Sequence, residues 1–492
     1  MAIKPLSAIF AIPDGHPQRW PLTVLGLTCI GAILASAKLE VWWPMVIPAA
    51  LIVLWLVAMD IHKVFLLLLA SIPLSMEQSL PGGLATDLPS EQLMWLLTLT
   101  GGLWFIRNWR NTDARYLRHP IALALLAHLI WMTICVATSE DFFISFKYWL
   151  AKGWYVIVFF FIAGHYLSGE RAWKELLWWF FLPLIFAVVI VIVRHAAVGF
   201  SFEEVGFVMG PFFRNHVTYA CVLAIFLPFV WFGTYWYRRY SGVWWLLTAG
   251  IVIFIVGINF AYTRAAYVAL LAAVGINWVV RRKLMKIVLL AAGIGFGLLI
   301  SFVSTKDNWL LFAPQYEKAV THERFDRLLD ATTKLEDIST MERVYRWVAA
   351  SYMIQDKPMV GFGPGTFYFF YKNYTVTSFK TYVSNNPEHS GIHNYFLMVT
   401  VEQGLPGFLF FLILSVVVMI KGEQIYHQTP DAGRRRMLMA ALLSFILIDL
   451  LMLMNDMVET DKIGSFFFMS MAIIINIDLK NKDLAETNDR FS

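Results

Sequence analysis

The chain has 492 residues, of which 59% are hydrophobic and only 15% charged, with a formal net charge of +5 and a mean hydropathy of +0.63. A soluble domain carries roughly 25% charged residues, so this composition excludes a soluble enzyme, a disordered chain and a disulfide scaffold. Aromatic residues reach 16%, which suits the two interfaces of a bilayer.

In chain order, apolar runs fall at 21–37, 41–59, 62–75, 91–106, 120–138, 148–167, 173–197, 215–234, 243–262, 265–280, 284–303, 393–420, 437–456 and 462–477. A spanning helix needs about 20 apolar residues, and several runs are short or abut, so the pattern predicts an all-α polytopic membrane protein of about 12–14 transmembrane helices. Cys29, Cys135 and Cys221 sit inside these runs without CxxC spacing and read as small core hydrophobes. Ala35-Ser36-Ala37 looks like a signal-peptidase site, but Pro13, Asp14 and Pro17 interrupt the residues before the first run, so an uncleaved first helix is the preferred reading.

Charge sets the orientation. With the runs numbered from one and the N-terminus inside, the inner segments hold 22 Lys and Arg, from Lys4 to Arg490. The short outer segments hold five, Lys38, Lys147, Arg214, Arg264 and Lys462, and this asymmetry places both termini in the cytoplasm. Three regions follow: transmembrane helices over 1–303, a large external loop over 304–392, and C-terminal helices with a cytoplasmic tail over 393–492. A loop of that length is functional more often than structureless. Within it, 316–337 and 341–356 are expected to be amphipathic helices. In the second, Met341, Val344, Tyr345, Val348 and Tyr352 recur at helical spacing, as in a helix lying on the outer face and roofing a cavity.

Charge at membrane depth marks function. Arg264, in Tyr262-Thr263-Arg264-Ala265-Ala266, sits between two apolar runs with scarcely any loop. It reads either as an interfacial arginine reaching for water or as a guanidinium facing an external cavity and suited to phosphate. Arg214, Lys147 and Lys152 carry the same two readings with weaker signals, and Arg194 is expected to be paired or snorkelling. In the loop, Glu342-Arg343-Val344-Tyr345-Arg346-Trp347 puts Arg343 and Trp347 on one helix face. The glycines of Gly361-Phe362-Gly363-Pro364-Gly365 resemble a phosphate cradle, yet no Gly-Lys-Ser/Thr follows, so a tight turn with close backbone approach is the preferred reading. His389 and His393 beside Glu388 have metal-ligand character, but Pro387 and Gly391 oppose a regular helix and no third ligand is evident, so no metal is expected. His393 opens the twelfth run at the interface, where a near-neutral pKa would suit proton transfer.

His393-Asn394, nine residues, then Gly404-Leu405-Pro406-Gly407 resembles the His-Asn-x9-Gly-x-x-Gly pattern of the bacterial O-antigen ligase superfamily, which includes O-antigen polymerases and protein O-oligosaccharyltransferases. Arg343-x-x-x-Trp347 with 356–367 resembles its loop block, and Thr263-Arg264-Ala265 its external Ser-Arg-Gly-type step. The matched blocks cover about 262–407. Fourteen apolar runs exceed the twelve usual for the ligases, and the late acidic residue of the family has three candidates, of which Asp456 is preferred over Glu459 and Asp461.

The resemblance implies a GT-C-like fold in the bacterial inner membrane with its site facing the periplasm. It implies an undecaprenyl-diphosphate-linked glycan donor, a lipid A–core or glycan acceptor and membrane lipid as partners, with no cofactor and no nucleic acid. Arg264 and Arg343 would stabilise the leaving diphosphate and His393 would take or orient the acceptor proton, with inversion. Arg214, Lys152, Arg346, Trp347, Asn394 and Asp456 are weaker candidates for holding diphosphate or glycan. The completeness of the His-Asn-x9-Gly-x-x-Gly match favours ligase over polymerase, then oligosaccharyltransferase. A non-enzymatic exporter would instead show internal symmetry and midplane charges.

Overall fold

The computed structural model describes residues 27–32, 34–36, 47–48, 50–53, 60–80, 84–108, 113–305, 338–376, 384–386 and 391–491. The expectations for most of the first two apolar runs, for 316–337 and for Glu388 and His389 lie outside the described residues.

Polar side chains cap the starts of several helices. α1 (Ile61–Ser71) begins on Asp60, which accepts the His62 N–H at 3.0 Å. It is followed by an antiparallel hairpin, β1 (Met76–Leu80) and β2 (Leu84–Leu88), in register Met76 with Leu88; no strand was expected here, since the segment is too short for a clear alternation. α2 (Ser90–Asn108) and α3 (Pro120–Ala137) follow. α4 (Phe142–Tyr166) starts six residues ahead of its apolar run because Asp141 caps it, accepting Ile144 N–H at 3.1 Å. That early start takes Lys147 into the helix along with Lys152, which the run already contains, and the helix widens to π-helical over Ile157–Ile162.

Next come α5 (Glu170–Ala197), α6 (His216–Gly233), α7 (Gly242–Phe260), α8 (Arg264–Arg281) and α9 (Met285–Ser304). The loop contributes α10 (Ile338–Asp356), and α11 (Tyr395–Gln428), α12 (Ala432–Met452) and α13 (Asp461–Phe491) complete the bundle. Among the described residues, nine helices are long and apolar enough to cross a membrane, and the chain is an all-α polytopic membrane protein.

α13 lies at the centre: every residue from Asp461 to Ile475 is buried. Phe467 stacks on Phe445 of α12 at 4.9 Å between centroids, and Phe466 meets Phe180 of α5 edge-on at 4.7 Å. α8 and α9 are peripheral, and Ile287, Leu290, Ile294 and Leu298 of α9 are exposed, as lipid-facing side chains should be.

Contacts at the two ends agree with the alternation of spans read from charge. Arg115 reaches Asp483 at 2.7 Å, His119 meets Asp478 at 3.3 Å and Arg434 bonds Asn481 at 2.8 Å, all between segments assigned to one side. At the opposite end Lys357 pairs with Glu140, Arg214 stands 3.8 Å from Glu77, and Arg194 donates to the Gly210 carbonyl.

α11 has 34 residues, about 50 Å if straight, and it breaks at Gly404, where φ is +71° and Pro406 follows. The break frees backbone carbonyls, which a membrane interior does not tolerate unpaired. Val401 O accepts Phe362 N–H at 3.0 Å, Glu402 O accepts Gly363 N–H at 2.9 Å, and Gln403 O accepts Trp131 Nε1–H at 2.8 Å. The glycine segment 361–365 is thus a backbone partner for a broken helix, and a Cβ on Gly361 or Gly404 would collide with Glu402 or Met359 backbone.

Candidate functional site

The site is built where α10 docks on the residues leading into α11. α10 is amphipathic as expected: Met341, Tyr345, Ala349 and Met353 are buried along one face, while Tyr352 is exposed. Arg346, only 4% exposed, donates from Nη1 to the Gly391 carbonyl at 2.6 Å, and Nη2 lies 3.6 Å from Glu342 Oε2. Trp347 donates through Nε1 to the Ile392 carbonyl at 3.1 Å. Glu342 is held in turn by Ser384 Oγ at 2.5 Å. These bonds fix a non-helical stretch, 391–394, in which His393 has φ +58°. Asn394 ends the stretch by capping α11, its Oδ1 accepting Leu397 N–H at 3.0 Å. The cap occupies the side-chain oxygen of a residue read as a substrate-binding candidate.

His393 is the most perturbed group in this stretch. Burial, with the charges of Arg346 and Arg343 behind it, pushes its pKa down to about 3. The near-neutral value expected from sequence is therefore corrected: two guanidiniums beside a dehydrated imidazole disfavour the charged ring, and His393 is neutral at pH 7. The charges of both Arg343 and Arg346 act on the ring, Arg346 more strongly. Arg264 is not among the charges that act on it. That arginine opens α8, half-buried, next to Thr263, whose hydroxyl donates to the His216 carbonyl at 3.3 Å.

Opposite His393's segment lies the turn between α12 and α13. A methyl group on Gly391 would overlap Asp456 Oδ2, so the glycine is what lets this carboxylate approach. Burial raises the Asp456 pKa, Glu459 adds to the rise, and Arg346 and Arg214 oppose it. Arg214 is otherwise well exposed.

Lys152 is 6% exposed and is not open to an incoming phosphate. Its ammonium donates to Glu459 Oε1 at 2.7 Å and to Tyr395 Oη at 3.3 Å, and Tyr148 Oη donates to the same Glu459 oxygen at 2.6 Å.

The glycine segment is not a phosphate cradle. Its Gly365 and Phe367 N–H groups donate to Glu402 at 2.8 and 3.1 Å, so the chain's own carboxylate fills the position an anion would take. Glu402 was missed in the sequence, although a carboxylate inside the twelfth apolar run was a visible signal.

The region that supplies Arg343, Arg346 and His393 is also the one that matches a known family. Residues 249–412 match the O-antigen ligase family. This O-antigen ligase segment takes in about a third of the chain, from within α7 to within α11, and the resemblance read from the motifs is the one the family model finds. It contains Arg264, Arg343, Arg346, Trp347, His393, Asn394, Gly404 and Gly407; Lys152, Arg214, Asp456 and Glu459 lie outside it. The match implies a membrane enzyme of the O-antigen ligase and polymerase type, acting as a glycosyltransferase on glycan and lipid-linked substrates. No curated protein matches the chain.

Proposed function

We propose that the protein transfers a glycan from an undecaprenyl-diphosphate donor to an acceptor hydroxyl on the outer face of the inner membrane, as a ligase onto lipid A–core. The observation that carries this reading is the placement of two guanidinium-bearing residues, half-buried Arg343 and buried Arg346, whose charges act on a neutral His393 within the family segment. As the sugar–phosphate bond breaks, negative charge develops on the diphosphate, and fixed guanidiniums in a dehydrated site stabilise it without reorganising. Arg264 belongs to the same group by its motif, and its position at the N-terminus of α8 adds backbone dipoles that favour an anion.

His393 takes the acceptor proton as attack inverts the anomeric carbon. With the site empty, burial together with the guanidiniums holds the imidazole's pKa too low for an effective base. A bound diphosphate offsets the guanidiniums' share, so part of the basicity returns when donor is present. Asp456, against Gly391, orients the ring or the sugar. Trp347 and Asn394 fix the backbone from which His393 projects, and Arg214 guards the Asp456 side.

Transfer by the purified protein from lipid-linked glycan to lipid A–core tests the reading. His393→Ala, Arg343→Ala and Arg264→Ala are each expected to abolish transfer with membrane expression intact; wild-type transfer by His393→Ala overturns the assignment. Gene deletion separates the family members. Long lipid-linked chains accumulate if a ligase is lost, and single repeats accumulate if a polymerase is lost.

A further inference from the structure

We infer that Lys152 is a positioning residue that sets the distance between the His393 segment and the Asp456 turn; as a statement about transfer this rests on the function proposed above. The ammonium is buried inside a spanning helix, where an ionised side chain is costly unless it is paired. Its partners belong to two different strands of the site. Tyr395, at 3.3 Å, is two residues after His393, and Glu459, at 2.7 Å, is three residues after Asp456. One side chain on α4 therefore ties together the two backbone segments that face each other across Gly391.

The tie is reinforced on both sides. Tyr148, one helical turn from Lys152, donates to Glu459 at 2.6 Å, so α4 holds that carboxylate with two donors. Tyr155 Oη, on the same helix, reaches the Glu459 backbone carbonyl at 3.4 Å. Beyond the turn, Asp461 accepts Ser75 and Ser90 hydroxyls at 2.7 Å each, and Lys462 donates to the Ser75 carbonyl at 3.2 Å. The turn 453–460 is thus clamped at its far end by Ser75, just after α1, and by Ser90 at the start of α2, and at its near end by α4, with Asp456 as the carboxylate that faces Gly391 and Arg346.

A lysine with this job affects how well reacting groups are aligned, not how tightly donor is bound. Misplacement by about an ångström costs roughly a hundredfold in rate. Lys152→Met is expected to lower kcat for glycan transfer by about a hundredfold with KM for the lipid-linked donor within about threefold, and Lys152→Arg to restore most of it. Hydrogen–deuterium exchange of the full-length protein in nanodiscs, without substrate, supplies a second readout. Lys152→Met should speed exchange in both 391–395 and 453–460, and Lys152→Arg should not. Should the unpaired Glu459 prevent Lys152→Met from folding, Tyr148→Phe removes a donor to the same oxygen without stranding a charge, and should move both readouts in the same direction by less. A raised KM with unchanged kcat overturns the inference in favour of direct phosphate binding, and unchanged exchange in either segment overturns it outright. If the wild type transfers no glycan while the exchange pattern holds, the proposed function fails and the tether stands.

Discussion

Arg346→Ala tests how α10 is held over the site. The side chain is almost wholly buried, with Nη1 2.6 Å from the Gly391 carbonyl and Nη2 3.6 Å from Glu342, itself buried. Truncation removes a charge-assisted hydrogen bond, about 1.5–3 kcal/mol, and withdraws a guanidinium from a buried carboxylate, about 3–5 kcal/mol. The two losses overlap because one group makes both contacts, so the expected cost is ~4 kcal/mol in the docking of α10. That is about a thousandfold in the opening equilibrium. Hydrogen exchange across 342–353 reads it directly: Arg346→Ala should exchange about a thousandfold faster than wild type. Glu342→Gln/Arg346→Met, which leaves no buried charge, should recover at least half of the loss in kcal/mol. Wild-type exchange in the single variant, or equal exchange in the single and double variants, refutes the ion-pair reasoning.

Acid should weaken the fold through His393. Between its ordinary value of 6.5 and its folded value of about 3 the unfolded chain binds a proton that the folded chain does not, so stability is complete above about 6.5 and falls as pH drops. From pH 6.5 to 5 the loss is ~1.5 kcal/mol, and His393→Gln should flatten that part of a Tm-against-pH curve; equal acid slopes in the two proteins count against it. Gly404→Ala forces a side chain into a left-handed position against Met359 and should lower Tm sharply, whereas Gly293→Ala, with no neighbour within 4 Å, should not; equal effects would show that the break in α11 is not what needs the glycine. EDTA is expected to leave transfer unchanged, and metal-dependent turnover would instead point to His389 or to Glu203 and Glu204, adjacent carboxylates in the external segment between α5 and α6.

Much of the bundle was legible because lipid imposes a length and an apolar composition on each span, and the lysine and arginine pattern sets their alternation. The helix over 341–356 was readable from its period, and the Arg343–His393 association from the motifs. What escaped reading depends on contacts distant in sequence. Asn394 is a polar residue at the start of an apolar run, a position that suits a cap, whereas the motif pointed to a ligand. Lys152 lies inside an apolar run, but its partners Glu459 and Tyr395 are hundreds of positions away, so its spacing does not distinguish a buried tether from a cation facing an external cavity. The pKa of His393 depends on Arg346, 47 positions earlier, and no spacing rule relates the two. The hairpin 76–88 was invisible because a few residues of alternation resemble any short loop.

The enclosure of α13 bears on how the protein is made. The most surrounded helix is synthesised after all the helices that pack around it, so those earlier spans cannot close on one another until it has entered the membrane. Until then they must wait in the membrane around an unfilled centre. A chain stopped before residue 461 would have a rim of helices without the one that joins them.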